Sequence, residues 1–76
     1  MVIAYILLLV KPGEENTVAE KMNKLDEVNE ISVVYGEYDI VAKVENKSME
    51  ELQSFLIKKI RAMEEVERTS TLIAIN

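Results

Sequence analysis

The run Val2-Ile3-Ala4-Tyr5-Ile6-Leu7-Leu8-Leu9-Val10 decides the fold, and Lys11-Pro12-Gly13 ends it. Its uninterrupted Val, Ile, Leu and Tyr residues are typical of a β-strand, and Pro12-Gly13 marks the end of regular structure. The run is too short to span a bilayer as a helix. Side chains alternate between the two faces of a strand. Both alternating sets are apolar here, so the run predicts a strand with two buried faces.

Two later segments have the spacing of amphipathic helices. The first begins at Glu14, where an acidic residue suits the positive end of the helix dipole. The second begins at Ser48, which together with Glu51 has the spacing of a capping box. Each carries one apolar stripe. The stripes are Val18, Met22 and Leu25 in the first helix, and Leu52, Phe55, Leu56, Ile60 and Met63 in the second.

Three further segments have β-strand composition. Val28–Tyr35 and Tyr38–Val44 lie on either side of Gly36-Glu37, a tight link that predicts a hairpin, and Val66–Ile75 closes the chain. The order is therefore strand, helix, strand, strand, helix, strand. This order predicts an α+β ferredoxin-like βαββαβ fold, a four-stranded antiparallel sheet with two helices on one face.

The other face of this sheet is expected to be polar unless something covers it. Both faces of Val2–Val10 are apolar, however, and the last strand ends on Leu72-Ile73-Ala74-Ile75. An exposed apolar face of roughly 600 Å² exceeds what soluble monomers tolerate. Burying it contributes on the order of 15 kcal/mol before the cost of association. We expect the sheet to pack on a second sheet in a homodimer; the alternative is a central strand that tolerates apolar outer residues.

The composition excludes several functional classes. The 76 residues include no Cys and no His, so disulfides and the usual zinc or haem ligands are ruled out. Gly13 and Gly36 are too few for a phosphate-binding loop, and a net charge of −5 opposes nucleic acid. We expect residues 1–76 to form a single cytoplasmic domain that is not an enzyme. We also expect that it needs no metal or cofactor and binds neither nucleic acid nor a membrane directly.

Two stretches carry polar side chains that suggest a site. Tyr35-Gly36-Glu37-Tyr38-Asp39 is an acidic and aromatic hairpin, and Arg68-Thr69-Ser70-Thr71 opens an otherwise apolar strand. Structural explanations exist for both, because Gly and Asp favour turns and Thr favours strands. The residues alone leave both explanations open.

Together the two stretches resemble the leucine-responsive/asparagine-regulator (Lrp/AsnC) family. Gly36-x-Tyr38-Asp39-Ile40-Val41-x-Lys43-Val44 is similar to the family's Gly-x-Tyr/Phe-Asp motif. Val66-x-x-Thr69-x-Thr71-Leu72-Ile73 resembles the start of the family's last strand. The first helix, Ser48-Met49 and the strand order also fit, so the resemblance covers essentially the whole chain.

The resemblance implies a regulation-of-amino-acid-metabolism (RAM) domain, in the stand-alone form that lacks a helix-turn-helix. Such domains pair through their sheets, often form octameric rings, and bind amino-acid effectors between dimers. Full-length Lrp/AsnC regulators are then further candidate partners, through ligand-dependent assembly. Asp39 would pair the effector ammonium, and Thr69 or Thr71 its carboxylate. The implied ligand-binding residues are Tyr35, Gly36, Glu37, Tyr38, Asp39, Met49, Thr69, Thr71 and Leu72.

Two other functions fit the same fold. Small ferredoxin-like dimers include monooxygenases and isomerases with a cavity between sheet and helices. Those enzymes commonly use His or a polar cavity lining, whereas the inward positions of this chain are apolar. A structural assembly module without a ligand is the other alternative.

Overall fold

The computed structural model describes residues 1–75 and contains one antiparallel sheet with the strand order β2-β3-β1-β4. The strands are β1 (Val2–Val10), β2 (Val28–Val33), β3 (Ile40–Asn46) and β4 (Val66–Ile73). The helices are α1 (Glu15–Asn23) and α2 (Met49–Phe55), and α2 continues into a π-helical turn at Leu56–Ile60. This is the ferredoxin-like arrangement that the sequence predicts.

The strand β1 is central because it pairs with β3 on one side and β4 on the other. Its side chains Ala4, Ile6 and Leu8 are fully buried against the helices. Leu7 points to the opposite face, and Tyr5 on that face is 38% exposed. The core is completed by Val10, Val18, Met22, Ile40, Ala42, Val44, Leu52, Phe55 and Ile60.

The expected two-residue hairpin between the second and third strands is wrong. Strand β2 ends at Val33 and β3 begins at Ile40, so residues 34–39 form a longer loop. The Val34 N–H donates to the Asp39 carbonyl across 2.8 Å, which closes the loop on itself. Gly36 has φ +144°, a conformation that side chains disfavour. The last strand is also shorter than expected and ends at Ile73 rather than Ile75.

The cap of α2 is confirmed in one of its two hydrogen bonds. The Glu51 N–H donates to Ser48 Oγ at 3.1 Å, as in a capping box. The returning bond differs, because Glu51 Oε2 accepts from the N–H of Lys47 at 3.3 Å rather than from that of Ser48.

The regular helix predicted up to Met63 is wrong beyond Phe55. The Arg61 N–H donates to the Leu56 carbonyl at 2.8 Å, five residues earlier, which is the spacing of a π-helical turn. With 3.6 residues per turn, Lys59 would lie closer to the core side than Ile60. The wider turn instead buries Ile60 completely and leaves Lys59 beside Glu27, with Nζ 3.2 Å from Glu27 Oε2.

An ion pair connects α1 to the turn before β4. Lys21 Nζ lies 2.9 Å from Glu65 Oε2. The hydrogen bond from Lys21 lowers the pKa of the Glu65 carboxyl and raises the pKa of the Lys21 ammonium. The Lys21 side chain is 49% exposed and that of Glu65 20%, so solvent screens the pair and its contribution to stability is small.

Replacing Leu8 and Leu7 by lysine tests the assignment of the two faces of β1. Leu8→Lys should abolish cooperative unfolding, because a buried charge without a partner costs several kcal/mol. Leu7→Lys should retain native far-UV circular dichroism and a cooperative transition, since its side chain lies outside the helix-covered core. Thermal melts of both variants measure the difference, and equal loss of structure would contradict the assignment.

Candidate functional site

The loop of residues 34–39 lies at the end of β1, where Asp39 binds the backbone of that strand. The Asp39 N–H donates to the Leu8 carbonyl at 2.8 Å, and Asp39 Oδ2 accepts from the N–H of Val10 at 3.0 Å. Because β3 begins only at Ile40, the carboxylate replaces the backbone acceptor that a longer β3 would offer to Val10. One carboxylate oxygen of Asp39 therefore has a structural role.

Tyr38 connects the same loop to the start of β4. The guanidinium carbon of Arg68 lies 5.6 Å from the centre of the Tyr38 ring, within the range of a cation–π contact. Arg68 is opposite Leu9 of β1, so both lie on the outer face of the sheet. The structure thus brings together the two polar stretches that the sequence singles out.

Three residues in the middle of the loop are exposed to solvent. Tyr35 is fully exposed, and Gly36 and Glu37 are also exposed. The side chains of Tyr35 and Glu37 are available to a ligand or a second chain.

Thr69 and Thr71 face away from Tyr38 and Arg68. Thr69 is paired with Leu8 and Thr71 with Ile6, whose side chains point toward the helices. Directly opposed residues share a face of the sheet, so both threonine hydroxyls lie on the helix side. Leu72, paired with Tyr5, lies on the outer face.

Met49 lies far from the loop within one chain. It begins α2 after the last residue of β3, whereas Asp39 precedes the first residue of β3. The seven residues of β3 therefore separate the two by roughly 20 Å. A single chain does not bring all nine candidate residues into one pocket.

The loop also borders a groove whose other wall the sequence did not indicate. The groove has a volume of about 440 Å³ and contains Glu15 and Asn16 from the start of α1, together with Val33, Val34, Tyr35 and Asp39. In the sequence, the acidic residues at the start of α1 are explained by their favourable interaction with the helix dipole. They are far from Asp39 along the chain, so nothing in the sequence indicates that they share a groove with it. The groove is acidic, which suits a ligand ammonium.

Residues 1–75 show no arrangement typical of a metal site or of a membrane-spanning helix. No group of three or more acidic side chains there is arranged to hold a metal ion. Neither described helix is long and apolar enough to cross a membrane.

Comparison with known proteins gives one consistent family. The model of the Lrp/AsnC ligand binding domain matches residues 3–76. The chain is 39% identical over 74 residues to the HTH-type transcriptional regulator FL11 of Pyrococcus furiosus, covering 97% of this chain and 48% of FL11. It is 36% identical over 72 residues to the regulatory protein AsnC of Escherichia coli K12, covering 93% and 47%. The chain thus spans about half the length of these curated relatives.

Solved structures agree with this result. The crystal structure of FFRP-DM1 has a TM-score of 0.97 and 48% identity, covering 99% of this chain and 100% of that one. The structure of E. coli AsnC has a TM-score of 0.94 and 34% identity, covering 99% of this chain and 51% of AsnC.

The hydrogen bond between Asp39 and Val10 can be tested by its effect on stability. Asp39→Ala should lower the free energy of unfolding by about 1–2 kcal/mol, because the Val10 N–H loses its acceptor. Asp39→Asn should cost less, since an amide oxygen can accept the same bond. Urea titrations of both variants give the comparison, and an Asp39→Ala variant as stable as the parent would show that the bond is dispensable.

Proposed function

The chain belongs to the Lrp/AsnC family through its ligand-binding domain, and we propose that it senses an amino acid and modulates transcription through ligand-dependent assembly. The match of the family model over residues 3–76 carries this proposal. The curated relatives FL11 and AsnC are transcriptional regulators rather than enzymes. We propose that residues 1–76 act as one RAM domain in the cytoplasm and contact regulators rather than DNA.

The outer face of the sheet supports a homodimer. Ile3, Tyr5, Leu7 and Leu9 of β1 form an apolar stripe there, and the 54% exposed Leu72 of β4 extends it. Apart from Val41, which is opposite Leu7, polar and charged residues border the stripe on both sides, as in the rim of an interface. They are Glu30, Lys43 and Glu45 on the side of β3, and Arg68 and Ser70 on the side of β4. We propose that two sheets pack face to face through this stripe.

The effector site requires more than one chain. Met49 lies roughly 20 Å from Asp39 in the same chain, so both residues can line one pocket only if a neighbouring copy supplies one of them. We propose that the loop of residues 34–39, with Arg68 behind Tyr38, forms one wall of a site between dimers. An octameric ring satisfies this requirement, and full-length regulators of the family are candidate partners in mixed assemblies.

The carboxylate of Asp39 is the proposed contact for the effector ammonium. Its Oδ2 already accepts from Val10, and an ammonium placed against the same carboxylate adds a charge-assisted bond. The hydrogen bond to Val10 also favours a second candidate function, an assembly module in which Asp39 only closes the loop.

Light scattering tests the dimer. At micromolar concentration we expect a mass of at least twice 8.7 kDa. Leu7→Lys should reduce the mass to that of a monomer, because it buries a charge at the centre of the proposed interface. Lys43→Gln, on the polar rim, is the matched control and should leave the mass unchanged. A wild-type mass of a single chain excludes the dimer.

Asp39→Asn tests the effector contact. A thermal-shift screen of the twenty amino acids first identifies a ligand, since one at about 100 times its Kd stabilises by roughly 2.7 kcal/mol. Calorimetric titration of Asp39→Asn with that amino acid should give an affinity lower by roughly 1.5–3 kcal/mol, because the charge is lost while the bond to Val10 is kept.

Glu20→Gln removes an exposed charge on α1, outside the proposed site, and should bind as the wild type does. If Asp39→Asn binds the amino acid with the same affinity as the wild type, Asp39 closes the turn and does not contact the ligand. No shift with any amino acid would favour the assembly module.

A further inference from the structure

Tyr35 is a large aromatic side chain that the loop of residues 34–39 presents to solvent. It is fully exposed, so none of residues 1–75 covers its ring. The loop beneath it is fixed, because the Val34 N–H donates to the Asp39 carbonyl and Asp39 is bonded to the backbone of β1. A tyrosine has only two side-chain torsions and loses little conformational entropy when it is buried. Tyr35 is therefore a preorganised anchor for a contact with another molecule.

The groove between α1 and the same loop has the size and chemistry to accept a tyrosine side chain. It has a volume of about 440 Å³, and its lining includes the apolar Val33 and Val34. Val33 is 54% exposed although it is apolar. Glu15 and Asn16 add a carboxylate and an amide oxygen to the lining. A buried tyrosine hydroxyl needs such an acceptor, so the groove matches both the ring and its hydroxyl.

We propose that Tyr35 of one copy of this chain inserts into the groove of a second copy, which returns the same contact. The anchor and the groove lie on one surface of the chain, so a two-fold axis lets each copy supply both. This surface differs from the outer face of the sheet, through which we propose that the sheets pair. Val33 in the groove is opposite Ile40, which is buried on the helix side.

The area of this contact indicates that it joins dimers rather than single chains. A buried tyrosine covers roughly 200 Å², so two exchanged rings and the grooves around them bury roughly 800 Å² in total. Stable interfaces between two proteins bury at least about 1,200 Å². A face-to-face dimer carries two of these surfaces, and contacts that form together strengthen one another. The exchange of Tyr35 therefore links face-to-face dimers into larger assemblies.

The same exchange adds a wall to the proposed effector site, and this step rests on the function proposed above. Asp39 lines the groove that receives the second copy's ring. An effector ammonium held by the Asp39 carboxylate would also contact the face of that ring in a cation–π interaction. Each chain then lacks one wall of its site until a second copy supplies Tyr35. Effector binding and assembly therefore favour each other.

Light scattering of the full chain between about 10 µM and 1 mM tests the anchor. The wild type should grow beyond the mass of two chains. Tyr35→Ala should remain at two chains, or need at least about a tenfold higher concentration to grow, because it loses a buried aromatic anchor. Ile57→Ala is the matched control, since it removes a 62% exposed apolar side chain from the π-helical turn and should grow as the wild type does.

Filling the groove tests the other half of the contact. Asn16→Trp keeps Tyr35 but places a bulky side chain in the groove, so it should also remain at two chains. Asn23→Trp is the matched control, because the same change lies about two turns further along α1 and outside this groove. It should grow as the wild type does.

Three results overturn the exchange of Tyr35: a wild type that stays at two chains, or growth of either Tyr35→Ala or Asn16→Trp equal to that of the wild type. A wild type that stays at two chains rejects this contact and leaves the face-to-face dimer standing. A wild type that remains a single chain at the highest concentration rejects both. Far-UV circular dichroism confirms that each variant is folded before its mass is compared.

Discussion

The pairing of β1 with a strand on each side is the interaction on which the rest of the structure depends. With both edges bonded to β3 and β4, β1 has only its two faces left to present, and both are apolar. The inner face collects the side chains of α1, α2 and β3 into one core. The outer face has no described element against it, and this is the physical reason why we propose a second chain there.

The end of the same strand also organises the candidate site. The Val10 N–H lies beyond the start of β3, so that strand offers it no backbone acceptor. The carboxylate of Asp39 accepts its hydrogen bond instead. This bond holds the loop of residues 34–39 against the sheet, while Tyr38 contacts Arg68 across the outer face. A charged group with a structural bond is preorganised, because its side chain is already fixed when a ligand arrives. Loop closure by Asp39 is therefore compatible with the ligand contact that we propose for it.

The two ends of the sheet have different chemistry. The loop end has exposed acidic and aromatic side chains on an irregular backbone, which suits contacts that form between chains. The end near Asn46 is bordered by α2 and by the connection from α1 to β2, which the ion pair between Lys59 and Glu27 joins to the π-helical turn. Because β3 separates the two ends by roughly 20 Å, a ligand at one end would contact none of the residues at the other.

The sequence by itself determined the features that depend on local patterns. The bounds of β1, the cap at Ser48 and the order of the six elements follow from residue spacing, and the two short motifs indicated the family. The tertiary structure decided which face of β1 is buried, since Leu7 and Leu8 are equally apolar. It also decided the length of the loop before Ile40, the π-helical turn at Ile60, and the contact between Arg68 and Tyr38. Each of these depends on residues that are distant in sequence and meet only when the sheet and helices pack together.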